Sequence, residues 1–208
     1  ACAPFRRLHL CNKNMVKMDT IKNDSKAKND LLAEVCYAAK YEGESITRYH
    51  PQHKGTNPDS QLCTELARSF ADIGDIVRGR DLYSGNKKEK KQRDELENKL
   101  KDIFGDIYKE LTSSRNGKNV DTLQARYKGD ENYYKLREDW WEANRETVWK
   151  AITCAAKVGD TYFRPTCDSV DGKGPSQAHD KCRCPKGDQV PTYFDYVPQY
   201  LRWFEEWA

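Results

Sequence analysis

Residues 133–158 read YYKLREDWWEANRETVWKAITCAAKV. Apolar or small side chains recur at Tyr133, Leu136, Trp140, Ala143, Thr147, Ala151, Cys154 and Val158, in steps of three or four, which is helical spacing. Tyr134, Trp141, Val148, Trp149, Ile152 and Ala155 widen the stripe, and only Lys135, Asp139, Glu142, Glu146 and Lys150 keep a consistent polar strip. A helix apolar over more than half its circumference is covered by neighbours on several sides. The stretch is therefore expected to be the central helix, with three of the five tryptophans on it. Its rings are expected to serve the core. Arg137 and Asn144, which fall inside the apolar arc, are expected to be partly buried and hydrogen-bonded to neighbouring helices.

The chain has 208 residues, 33% of them charged, and a mean hydropathy of −0.99, yet 11% are aromatic. This is too rich in core-forming rings for a disordered chain. With 36 basic and 33 acidic residues the formal charge is only +3, so any affinity for polyanions must come from local patches. Eight cysteines, at Cys2, Cys11, Cys36, Cys63, Cys154, Cys167, Cys182 and Cys184, are evenly numbered and widely spaced. They point to an oxidised extracellular domain with up to four disulfides, whose pairing the sequence leaves open. No apolar run is long enough to cross a membrane. The abrupt ends suggest a piece excised from a larger secreted or membrane-tethered protein.

The remaining pattern is helical with irregular connections, so the expected class is all-α, a disulfide-stapled bundle with long loops. Residues 1–18 read as an irregular segment pinned by two cysteines. A helix from about Ser25 to Tyr49 is expected to stop at His50-Pro51, because the residue before proline disfavours helical geometry. A second, about 60–78 and capped by Asp59 or Ser60, presents Leu62, Cys63, Leu66, Phe70, Ile73 and Val77. Gly74 inside it costs about 1 kcal/mol relative to alanine, which a close helix contact would explain. From Asn86 to about Ser114 a third helix begins almost wholly charged and then shows a seam of Leu96, Leu100, Ile103, Ile107 and Leu111. A solvent-exposed turn at 113–120 and a short helix at Leu123–Tyr127 precede the central one. Residues 159–192 are irregular and cysteine-rich, and a last helix restarts at Pro198 with an aromatic face of Tyr200, Leu201, Phe204 and Trp207 or Trp203. One domain is expected, with its helical core at about 25–158, the cysteine-rich loops at about 159–192 and the start of a further helix at 198–208.

No catalytic site is indicated. There is no phosphate loop, nucleophile elbow or paired-carboxylate motif, and Glu138 with Glu142 reads as an ordinary solvated pair. Cys167, His179, Cys182 and Cys184 offer a zinc set, but a C-x-C step lacks the usual knuckle spacing, and disulfides are the better assignment. His50 and His53 are solvated loop residues. No cofactor or metal is expected, and no nucleic-acid partner, since in an oxidised extracellular chain sulfated glycans are the natural polyanion. The best binding candidate is the run Lys87, Lys88, Lys90, Lys91 and Arg93, whose bases oppose the helix dipole and so suggest a partner. Arg6, Arg7, Lys26 and Lys28 form a weaker second group. A solvated helix start is the alternative.

Four stretches, CAPFRRLHLC at 2–11, LARSFADIGDIVRGRDLY at 66–83, REDWWEANRETVWKAITC at 137–154 and YFDYVPQYLRWFEEWA at 193–208, together resemble the alpha class of Duffy-binding-like domains. These occur near the N-terminus of the variant erythrocyte membrane protein 1 of the human malaria parasite. The resemblance runs end to end, with hypervariable blocks corresponding to about 84–130 and 159–192. It implies a disulfide-rich helical adhesion domain on the infected red cell, joined to other domains of a larger membrane protein, binding host receptors and meeting antibodies. Alpha-class members are linked to rosetting through heparan sulfate-type glycans, complement receptor 1 or blood-group sugars. Family domains have three subdomains, and this chain corresponds to the middle one. The competing expectation is an antigenic or architectural segment without direct receptor contact.

Overall fold

A computed structural model describes residues 2–18, 27–113, 120–168, 174–187 and 189–207. Its helices are α1 (Phe5–Leu8), α2 (Lys13–Val16), α3 (Ala27–Thr56), α4 (Leu62–Arg78), α5 (Lys87–Leu111), α6 (Val120–Tyr127), α7 (Tyr134–Ile152) and α8 (Gln199–Trp207). A 3-10 turn at Phe194–Tyr196 precedes α8, and the antiparallel pair β1 (Cys167–Asp168) and β2 (Pro175–Ser176) is the one sheet among the described residues. The expected all-α class holds. Residues 1–18 carry two short helices instead of wholly irregular chain, and the turn expected at 113–120 lies largely outside the described residues.

α3, α4 and α7 pack against one another and α5 closes the bundle. Phe70 of α4 joins Trp141 and Trp149 of α7, with ring centroids 5.1 and 5.2 Å away. Two glycines set how closely the helices approach. A Cβ on Gly74 would sit 2.7 Å from the Trp141 ring, and one on Gly43 would sit 1.8 Å from the Ile152 carbonyl oxygen. The close contact expected at Gly74 is thus an α4–α7 contact through an indole.

The most enclosed helix is α4, not α7. Every residue from Ser69 to Arg78 is buried, charged ones included. α7 buries Leu136 with Arg137, Trp140 with Trp141, Asn144 with Arg145, and Val148 with Trp149, while Ala143 and Thr147 face outward. It ends at Ile152, so Cys154 and Val158 are exposed beyond it. The stripe expected from step counting therefore drifts off the true buried arc after Trp140, because polar Asn144 and Arg145 hold inward positions that Ala143 and Thr147 seemed to claim. Arg137 is wholly buried and donates to the carbonyls of Val77 (2.6 Å) and Ile76 (3.2 Å) and to Glu97 (2.9 Å), as expected. Asn144 is buried too, but it bonds the Trp140 carbonyl of its own helix.

α3 runs through Pro51 to Thr56. Proline deprives the carbonyl four residues back of its helical donor, and residues 51–59 are all exposed, so solvent is at hand for it. α8 docks through polar contacts, not through the expected aromatic face. Gln199 bonds Asp72 and Asp81, Arg202 bonds Asp72 at 2.8 Å and Asp75, and Trp203 is buried, whereas Tyr200, Leu201, Phe204 and Trp207 remain exposed.

Disulfides join Cys63 to Cys182 and Cys167 to Cys184, tying the irregular region 159–192 to α4 and to itself. Cys2, Cys11, Cys36 and Cys154 are thiols, which corrects the expected use of all eight in bridges. Even numbering alone could not reveal this, since pairing depends on which Cβ atoms the fold brings together. Burial, with the Glu42 carboxylate beside it, pushes the Cys11 thiol up to about 11, which makes it a weak nucleophile. The sulfurs weighed as a zinc set are engaged in the two bridges.

Candidate functional site

The charged start of α5 is a helix because Asn86 and Glu89 form a capping box. The Asn86 side chain accepts from the Lys88 and Glu89 amides at 2.9 and 3.0 Å, and the Glu89 carboxylate accepts from the Asn86 amide at 2.7 Å. These bonds satisfy the free N–H groups and set an acid at the positive end of the dipole, which offsets the lysines around it. Docking begins only at Leu96 and Leu100, both buried. The first two turns therefore stand clear of the bundle, with Lys87, Lys88, Lys90 and Lys91 exposed. Among the described residues Lys87, Lys88 and Lys90 have no ion-pair partner, and Lys91 lies 3.9 Å from Glu95.

Arg93 behaves differently. Its side chain is 36% exposed, lies 3.9 Å from Asp94, and donates to the Tyr83 carbonyl. It holds the 79–86 connection against α5 while keeping part of its charge at the surface.

The second basic group does not join this face. Arg6 is nearly buried and bonds Glu206 at 2.9 and 3.0 Å, Asp72 at 2.8 Å and the Ser69 hydroxyl. Arg7 is buried against Asp81, with its guanidinium 4.7 Å above the Tyr83 ring. Arg6 thus secures the N-terminal segment to α4 and α8, and Arg7 secures it to the 79–86 connection. Their acidic partners lie far along the chain, so the dipeptide alone reads as surface. Lys28 is exposed in the first turn of α3, and Lys26 lies outside the described residues.

Between the 7–17 segment and α5 lies a cleft of about 470 Å³, floored by Leu10, Val16, Ile76, Leu96 and Leu100. Its two arginines, Arg7 and Arg93, face Asp81 and Asp94, so its interior charge is largely balanced. On the lip opposite α5 stand exposed Lys13 and Lys17, which the sequence reasoning passed over. Their i, i+4 spacing, one turn apart across α2 and its C-cap, was the available signal, hidden by the expectation of irregular chain there. The basic surface of α5 is therefore its exposed lysines, outside the cleft, whose α5 wall carries Glu89, Gln92, Arg93, Asp94 and Glu97. It can hold an extended anion by charge, and it offers no nucleophile–base pair; among the described residues no cluster has the makings of a metal centre.

The Duffy binding domain model matches residues 1–202. The chain is 42% identical to the solved NTS-DBL1(alpha-1) domain of Plasmodium falciparum membrane protein 1 (PfEMP1), varO strain, with a TM-score of 0.74 over the whole chain and 43% of that structure. The DBLbeta domain of an ICAM-1-binding PfEMP1 is 31% identical, with a TM-score of 0.66 over 97% of this chain and 41% of that one. The Duffy receptor beta form of Plasmodium knowlesi is 22% identical over the full chain, which spans 14% of the receptor's length.

Proposed function

The chain belongs to the Duffy binding domain family, and on that premise we propose that it is a non-enzymatic adhesion module of a variant surface antigen. It is a piece of one alpha-class domain, displayed outside the infected erythrocyte as part of a larger membrane protein. Its finer role is to contact host-cell receptors, in particular sulfated glycans such as heparan sulfate, in rosetting or cytoadherence. The observation that carries this reading is the face formed by Lys87, Lys88, Lys90 and Lys91: exposed, in a helix start fixed by a capping box, and, among the described residues, with only Lys91 near an acid in an ion pair, Glu95 at 3.9 Å.

Several lysines neutralising sulfates along an extended chain would together release the cations condensed on that chain, which gives a strong dependence on salt. Arg93, Lys13 and Lys17 extend the field toward the cleft. Antibodies meet the same surface, because the residues that are free to bind are also free to vary.

The test is retention on immobilised heparin at about 0.15 M salt. The Lys87→Glu/Lys88→Glu/Lys90→Glu/Lys91→Glu variant is expected to elute at much lower salt with an unchanged circular dichroism spectrum. Equal retention of the two proteins sinks the assignment. Absence of binding by the folded chain, with binding by a longer domain, moves the receptor contact elsewhere and favours an architectural or antigenic role.

A further inference from the structure

At the other end of α5, about 30 Å from the lysines at 1.5 Å per residue, an open groove of about 640 Å³ runs between α5, α6 and the 128–133 turn. Three tyrosine rings meet there, with Tyr127 buried at its base beside Arg126, 5.9 Å from the Tyr127 ring, and Tyr108 and Tyr133 half-buried beside it. The Tyr108 centroid is 6.3 Å from that of Tyr127 and 6.0 Å from that of Tyr133.

Tyr133 is set there against its backbone preference. Its φ is 58°, the left-handed region that bulky side chains rarely adopt. The conformation is held from both sides: the Tyr133 amide donates to the Asp130 carbonyl at 3.0 Å, and the Arg137 amide donates to the Tyr133 carbonyl at 2.8 Å. The Asp130 carboxylate accepts from the Tyr134 and Lys135 amides, each at 2.8 Å, fixing the turn that presents the ring. Gly105 of α5 leaves the ring its place, since a Cβ there would lie 3.3 Å from the Tyr133 hydroxyl oxygen. Tyr127 is anchored through its hydroxyl, which donates to Asp139 at 2.8 Å. A strained residue so thoroughly held is a mark of a surface used for recognition.

The rim of the groove is acidic. Asp121, Asp130 and Glu131 line it, and among the described residues Lys128 is the one base in the lining. Asp121 and Glu131 are exposed and have no ion-pair partner among the described residues. Aromatic faces and free carboxylates both favour a cation, and planar guanidinium stacks best on such rings. The groove is too open to enclose a small molecule, so it suits a side chain presented by something larger.

We propose that the Tyr108–Tyr127–Tyr133 groove receives an arginine or lysine side chain from a basic segment of a protein partner. It is separate from the lysine face, of opposite sign, and stands or falls without it.

The probe is N-acetyl-arginyl-arginine amide, titrated into the isotope-labelled 208-residue chain and followed by NMR, with the citrulline analogue as the neutral isostere. The expected result is that shifts concentrate on the ring signals of Tyr108, Tyr127 and Tyr133 and that the citrulline peptide binds at least about fivefold more weakly. The surface variant Asp121→Asn/Glu131→Gln is expected to weaken arginine binding by a similar factor. Tyr133→Gly, which suits the positive φ, is expected to abolish it. Equal binding of the citrulline peptide, unchanged affinity in the carboxylate variant, or shifts spread evenly over surface acids overturns the proposal.

Discussion

Residues 72–81 and 87–93 lie a few positions apart and are both dense in charge, yet they are opposite kinds of structure. In the first, Asp72, Asp75 and Arg78 are buried and bound to Arg6, Arg202 and one another. In the second, the lysines reach into solvent with little internal pairing. The difference teaches that charge density by itself says nothing about exposure. What separates the two is sign and partner: the buried stretch alternates acids and arginines that meet complementary groups from α1, α7 and α8, whereas the exposed stretch is dominated by lysine, which is costly to bury.

Breaking the buried side is expected to give the largest effect. Arg137→Ala removes the donor to two α4 carbonyls and leaves Glu97 without its guanidinium. Leaving those two buried carbonyls without a donor costs about 1–3 kcal/mol each, while Glu97, 42% exposed, turns to water; the loss is readable as a fall in the denaturant midpoint. A loss below about 1 kcal/mol would mean that Arg137 is dispensable to the bundle. Gly74→Ala comes next. Helix propensity would gain about 1 kcal/mol, but the new Cβ meets the Trp141 ring at 2.7 Å, and overpacking of about 1–3 kcal/mol is expected to win. A stabilised variant would show that the α4–α7 spacing yields easily.

The acids of α4 give a pH signature. Burial would raise Asp72, but Arg6, Arg202 and Arg7 outweigh it and hold the carboxyl below 3.8, so its contribution is present above that pH and lost as pH falls. Burial dominates at Asp75 and pushes it up to about 6 despite Arg202, so its contribution is fullest below 3.8 and lost as pH rises through about 6. Unfolding free energy measured across pH is therefore expected to peak near 3.8 and to fall from there to about 6, with Asp75→Asn flattening that upper limb. An upper limb that Asp75→Asn leaves unchanged contradicts this. The smallest effect belongs to the exposed side: reversing Lys87, Lys88, Lys90 and Lys91 is expected to alter stability by less than about 0.5 kcal/mol while heparin retention falls.

The helical class, the Gly74 contact and the burial of Arg137 were legible in the sequence, because each rests on apolar spacing or on a residue that breaks it, and the family was legible in four stretches spread from end to end. Burial of Arg145, Asp72, Asp75 and Arg78 was not. Hydropathy counts every charge as outward, and the groups that neutralise these come from distant segments. Arg6 and Arg7 were misplaced for the same reason, whereas the exposure of the α5 lysines was visible in the late start of the Leu96–Leu111 seam. Tyr133 could not be singled out, since a left-handed backbone leaves no trace when the residue adopting it is not glycine.

The Cys63–Cys182 bridge has a consequence for how the molecule tolerates change. It closes a covalent ring spanning 119 residues, which contains the whole of α5, α6 and α7. A single cleavage of the chain inside that ring does not release a piece, because both fragments stay joined through sulfur. Loops within it can lengthen, shorten or be clipped while the two ends of the ring stay fixed to each other. The α5 lysine face and the tyrosine groove are thereby both carried on one closed hoop.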